Sequence, residues 1–197
     1  MKRIAHLLAG VALLSACRGE QIPTETSSQI QPGAAAQAAP TSAGASQVSD
    51  AAVAKDLATL RKVTAPFHQF KTATAAGWSA KITDCMTDPA GGMGFHYGNP
   101  ALIDGSVQVD APELLLYEPD KNGDLSLVAV EYIIPYTAHS RDAAAPVLFG
   151  HEFLRNDVFQ LWGLHAWVWK DNPSGMFANW NPRVTCQYAS AISTMAH

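Results

Sequence analysis

The ten residues from Leu125 to Ile134, LSLVAVEYII, constrain this chain more than any other stretch. A strand turns successive side chains to opposite faces. Here both sets are apolar, apart from Ser126, Glu131 and the hydroxyl of Tyr132. Such a run reads as a central strand covered on both sides, and Pro135 ends it. Glu131 then poses a question of its own, because a buried carboxylate is costly unless it is paired or bound to a metal.

The neighbouring segments supply the rest of a sheet. Glu113 to Glu118 reads as a strand, and Asn122-Gly123 between the two apolar runs is a strong hairpin signal. Asp120, Asn122 and Asp124 also imitate the start of a calcium loop. The sixth place, however, holds Leu125 where glycine is needed, so the hairpin is preferred. Met93 to Tyr97 forms a short strand after a loop over Asp88 to Gly92. Thr137 to Pro146 is a polar loop, and Glu152 to Asp157 reads as a short helix. The last strand, Leu161 to Lys170, puts Gly163, His165, Trp167 and Trp169 on one face. Trp162, Leu164, Ala166 and Val168 fall on the other. A turn at Asn172-Pro173-Ser174-Gly175 follows.

Before the strands, Ser49 or Asp50 caps a helix whose Val53, Leu57 and Leu60 fall at helical spacing. A second helix, Pro66 to Ala76, presents Phe67 and Phe70 and ends at Gly77, with His68 on its surface. No internal repeat and no βαβ alternation is present. The expected class is α+β, a helical pair on one face of a mostly antiparallel sheet.

The N-terminal end reads as a targeting segment. Lys2 and Arg3 precede an apolar run, Ile4 to Leu14, that is too short for a bilayer, where about 20 apolar residues are needed. Leu14-Ser15-Ala16-Cys17 resembles the lipobox of bacterial lipoproteins, with an ordinary secretory leader as the alternative. The resemblance implies a signal peptide over 1–16, a lipid on Cys17 and export to a membrane surface. Arg18 implies the periplasmic side of the outer membrane if the host has two membranes. Residues 17–48, rich in Ala, Gln, Ser, Thr and Pro, read as a disordered linker. The remainder, 49–197, is one domain, as 197 residues allow.

Charge excludes some partners. The whole chain has a net charge of −4, and removing Lys2 and Arg3 makes it more acidic. Nothing draws such a chain to nucleic acid or anionic headgroups. The three cysteines divide naturally, with Cys17 taken by lipid. Cys85 and Cys186, in an exported chain, are expected to form a disulfide, with thiolate metal ligation as the alternative.

Three polar residues sit in apolar strands: His96, Glu131 and His165. Two imidazoles and a carboxylate are a known ligand set for zinc or non-haem iron, with positions left open for substrate. Copper also accepts imidazole. Gly94 and Gly98 flank His96 and are expected to leave room for a ligand. Glu113 and His151 are reserve candidates for the same cavity. The competing reading is that the histidines are satisfied core residues and that Glu131 bonds a histidine or Arg183. Trp162, Trp167, Trp169 and Trp180 suit a flat-ligand site, although alternation favours the core for most of them. No serine elbow, phosphate loop, dinucleotide fingerprint or His-Glu-x-x-His helix is present.

GMGFHY, PELLLYEP, LVAVEYIIP and LHAWVWKDNPSGMFANWNPRVTC together resemble an uncharacterised family of small exported bacterial proteins and lipoproteins. The likeness spans about Phe67 to Cys186. It implies recurrent positions at His96, Glu131, His165, Asn172-Pro173, Asn181-Pro182 and Cys186, and no particular activity. Three functions are therefore open: a small-ligand or metal-binding domain, a metal-dependent hydrolase or oxidoreductase, and a structural lipoprotein without a metal. The sequence does not decide whether the chain is an enzyme.

Overall fold

The computed structural model describes residues 49–192. The leader, Cys17 and the linker over 17–48 lie outside them. The domain begins with α1, Asp50–Thr64, whose first turn is capped by the Ser49 hydroxyl accepting from the Ala52 amide. The second helix is shorter than its sequence suggests. A 3-10 turn over Ala65–His68 gives way at Gln69, in an extended conformation, to α2, Phe70–Ala75. Pro66, which lacks an amide donor and suits a first turn only, separates this turn from α1. Gly77 follows with φ +114°, a conformation that favours glycine.

Eight strands follow: β1 Ala80–Asp88, β2 Gly91–Gly98, β3 Leu114–Pro119, β4 Leu125–Pro135, β5 Val147–Leu148, β6 His151–Glu152, β7 Leu154–Asn156 and β8 Leu161–Ala166. Six of them form one antiparallel sheet, ordered β1-β2-β3-β4-β8-β7; β5 and β6 pair separately. A short helix, α3, spans Ala189–Ile192. The expected α+β class holds, and β4 is an interior strand between β3 and β8. The hairpin also holds, with Pro119 opposite Leu125 and Gly123 at φ +84°.

Three expectations need correction. Glu152 to Asp157 is not a helix but parts of β6 and β7. Asn156 sits opposite Leu161 across a tight reversal, so pairing with β8 overrides local preference. The final strand stops at Ala166 rather than Lys170. Beyond that point alternation lapses, and Trp169 swings to the helical side, donating from Nε1 to Thr64 Oγ1 at 3.0 Å. Finally, Ala80–Asp88 is a full strand where the sequence carries no strand pattern. It is an edge strand, largely exposed, with repeated register shifts against β2, so no clean alternation marks it.

The two sheet faces are covered differently. Leu115, Tyr117, Val130, Tyr132, Trp162 and Leu164 pack with helix residues Leu57, Leu60 and Ala73. The Tyr117 hydroxyl donates to the Phe67 carbonyl at 2.7 Å, pinning the helical connection to β3. The opposite face carries Leu114, Leu116, Ala129 and Ile133, packed with Met93, Trp167 and Val184. The polypeptide after β8 covers part of this second face. Asn181 and Gly92 exchange backbone hydrogen bonds at 3.0 and 3.1 Å, and Cys85 is disulfide-bonded to Cys186. That bridge ties the edge strand β1 to the closing segment.

Candidate metal centre

His96, Glu131 and His165 come from β2, β4 and β8 and meet on the sheet face away from the helices. Glu131 is directly opposite His165 in the antiparallel ladder. Leu114 of β3 is opposite Glu131 on its other side, and Leu116, two residues on, faces His96. The central strands therefore fix all three positions through register rather than through loops. All three side chains are buried. One ligand atom from each lies within 4.8 Å of the other two. A zinc or iron ion at metal–nitrogen distances of about 2.0–2.1 Å holds its donors about 3.3–3.4 Å apart, so the side chains would draw in around it. Among the described residues this is the one group of three or more metal-ligating side chains gathered in this way.

The hydrogen bonding is lopsided. His96 Nδ1 and the Thr83 hydroxyl are 2.8 Å apart, which leaves Nε2 facing the centre. Both ring nitrogens of His165 are buried and neither makes a hydrogen bond of good geometry, the Asn179 side chain being close enough to act on the ring but poorly placed. The Nε2 atoms of His96 and His165 stand 3.5 and 3.9 Å from Glu131 Oε2, too far for good hydrogen bonds. These contacts are not ion pairs either. Burial, then the neighbouring His165, pushes His96 down to about 3; burial pushes His165 down to about 4, opposed by Asn179. Burial, reinforced by Glu113, pushes Glu131 up to about 8. At neutral pH the metal-free trio is thus two neutral imidazoles and a protonated carboxyl. Neutral imidazoles offer lone pairs to a metal, and Glu131 loses its proton when one binds.

Glycine at 163 makes room for this arrangement. A Cβ there would lie 2.7 Å from Glu131 Oε1. The glycines beside His96 behave otherwise than expected. A Cβ at Gly94 would meet the Tyr117 carbonyl at 2.4 Å, and one at Gly98 would meet Ile82 and Leu114. The protein's own atoms, not a ligand, fill that space.

The reserve candidates do not join the trio. Glu113 is buried and accepts the Ile133 amide at 3.1 Å through Oε2; burial raises its carboxyl to about 8. His151 is exposed on β6, its ring 4.2 Å from that of Phe177, in a shallow cleft near Asp50. Arg183 is paired with Asp171, not with Glu131. Trp162 and Trp167 are core residues, while Trp180 lines the cavity above the trio. Asn172 and Asn181 are structural. Asn172 Nδ2 donates to the Trp180 carbonyl at 3.0 Å, and Asn181 Nδ2 to that of Asp171 at 3.1 Å.

Three site residues have no sequence signal: Thr83, on the edge strand β1, Asn179, and Gly163 in its role beside Glu131. Alternation around Ile82 and Thr83 was too weak to mark a strand, and Asn179 lies in irregular backbone. Compared with known proteins, this chain matches no protein-family model, no curated protein and no solved structure.

Proposed function

We propose that this is a metal-binding domain in which His96, Glu131 and His165 hold one divalent transition ion, zinc, iron or copper. The observation that carries the reading is the convergence of two imidazoles and a carboxyl, buried together with one ligand atom from each within 4.8 Å of the other two. A histidine kept only for packing leaves its ring nitrogens poorly bonded, at a cost of about 1–3 kcal/mol for an unsatisfied atom. A metal ligand recovers that cost. Three protein ligands leave coordination positions open, as in catalytic rather than closed structural sites. That openness favours, as a second reading, a metal-dependent hydrolase or oxidoreductase with the ion as Lewis acid or redox centre. The proposal includes export and anchoring by a lipid on Cys17, supported by the Leu14-Ser15-Ala16-Cys17 quartet. A Cys85–Cys186 bridge suits an oxidising compartment.

The test is elemental analysis of the full chain, purified without chelator, beside a His96→Ala/His165→Ala double variant. About one ion per chain is expected in the parent and none in a folded variant. No ion in either, after incubation with zinc, iron and copper, would end the metal reading and return the domain to a structural role.

A further inference from the structure

The trio forms the floor of a cavity of about 160 Å³. Ile82 of β1 and Leu154 of β7 both line it, although those strands stand at opposite ends of the six-stranded order. The sheet therefore curls until its two edges flank one hollow. Ile82, Leu154 and Phe159 are 41%, 49% and 44% exposed, so large apolar side chains are left in water at the mouth. Deeper in, Met93, Leu114, Ile133 and Trp180 continue the apolar wall.

Charge narrows the choice of ligand. Besides Glu131, Arg155 is the one charged residue along the wall. It pairs with Trp162 in the ladder, and its guanidinium lies over that ring, 5.1 Å from the centroid. Trp162 packs on the helical side, so this exposed guanidinium sits at the rim, engaged with the ring, rather than beside the trio. An ion held by two neutral imidazoles and one carboxylate keeps a single positive formal charge. One singly negative donor neutralises it, whereas a phosphate would bury further charge without a partner. The cavity volume, part of which the ion would take, is close to the roughly 150 Å³ of an apolar cavity that accommodates benzene, and Thr83, Asn156 and Asn179 add polar groups to its lining.

Building on the metal reading, we propose that the site takes a phenol-class molecule: a hydroxyl group on an apolar body of about benzene's size. The hydroxyl oxygen ligates the ion and its proton passes to solvent, while the body lies among Leu114, Ile133 and Trp180. Entry is between Leu154, Phe159 and Ile82.

The test loads the full chain with cobalt(II), whose visible bands report its ligands, and titrates phenol, ethanol, acetate and inorganic phosphate. One cobalt per chain is expected, with phenol binding about tenfold or more tighter than the other three. Leu154→Trp, which narrows the mouth, should weaken phenol about tenfold and leave cobalt stoichiometry unchanged. Ile82→Trp tests the same wall from the other edge if the first variant misfolds. Cobalt bound at one per chain, with phenol no tighter than ethanol or with acetate or phosphate the tightest ligand, overturns the phenol assignment alone. Failure to bind cobalt overturns the metal reading, and the assignment with it.

Discussion

At the scale of single residues, the centre depends on which proton sits where. Glu131, raised to about 8, is protonated at pH 7 in the metal-free protein, so a Glu131→Gln change replaces one neutral group with another. The metal-free melting temperature should therefore move little, while bound metal, measured by elemental analysis, should be lost. Metal affinity should rise about tenfold per pH unit between roughly pH 5 and 8, because one proton leaves Glu131 per ion bound. Above about 8 the slope should flatten, since Glu131 is then already ionised; competition with a chelator across that range measures it. Stability of the metal-free protein carries opposite signs from the two residue types. Glu131 is raised, so its contribution is complete below its ordinary value near 4.5 and is lost as pH rises through about 8. The histidines are lowered, so theirs is complete above 6.5 and is lost as pH falls through about 4 and 3. Thr83→Val removes the partner of His96 Nδ1 and should weaken metal binding about 10- to 100-fold with little change in fold.

At the scale of elements, two glycines in strands β8 and β2 have different tasks. Gly163→Ala places a methyl against the far end of Glu131, a side chain that can rotate away. It should cost about 1–3 kcal/mol of stability and lower metal affinity by more than the fold is weakened. Gly94 has φ +87°, and its added Cβ would meet backbone at Tyr117. Gly94→Ala should cost about 2–5 kcal/mol, combining left-handed strain with overpacking, as read by denaturant unfolding. The core strands β3, β4 and β8 were legible from the sequence because burial on one or both faces writes a strong pattern. Edge strands β1 and β7 were not. They are half in water and held by pairing on one side only, which leaves little trace in composition.

At the scale of the whole molecule, the Cys85–Cys186 bridge closes a loop of 101 residues and holds the segment that covers the face carrying His96, Glu131 and His165. Reducing it should cost about 4–5 kcal/mol in the chain-entropy account. Metal retention should fall in parallel, because Trp180 and Asn179 lie on the covering segment that the bridge secures. Thermal unfolding with and without reductant, on metal-loaded protein, measures both. Replacing Cys17 with serine should abolish incorporation of labelled fatty acid while leaving metal stoichiometry of the folded domain unchanged. Anchoring and ion binding would then separate as independent properties of one chain.

Local pattern alone determined the α+β class, the hairpin at Asn122-Gly123 and the central position of β4. It also singled out the three polar side chains set among apolar neighbours, because alternation and burial leave a record in the order of residues. Convergence of His96, Glu131 and His165 was decided only by register across four strands, a property of pairing between segments far apart in the chain. The same holds for Thr83 behind His96, for the space that Gly163 leaves, and for the rejection of Glu113 and His151. Each depends on distances between side chains from separate strands, and sequence spacing does not encode those distances.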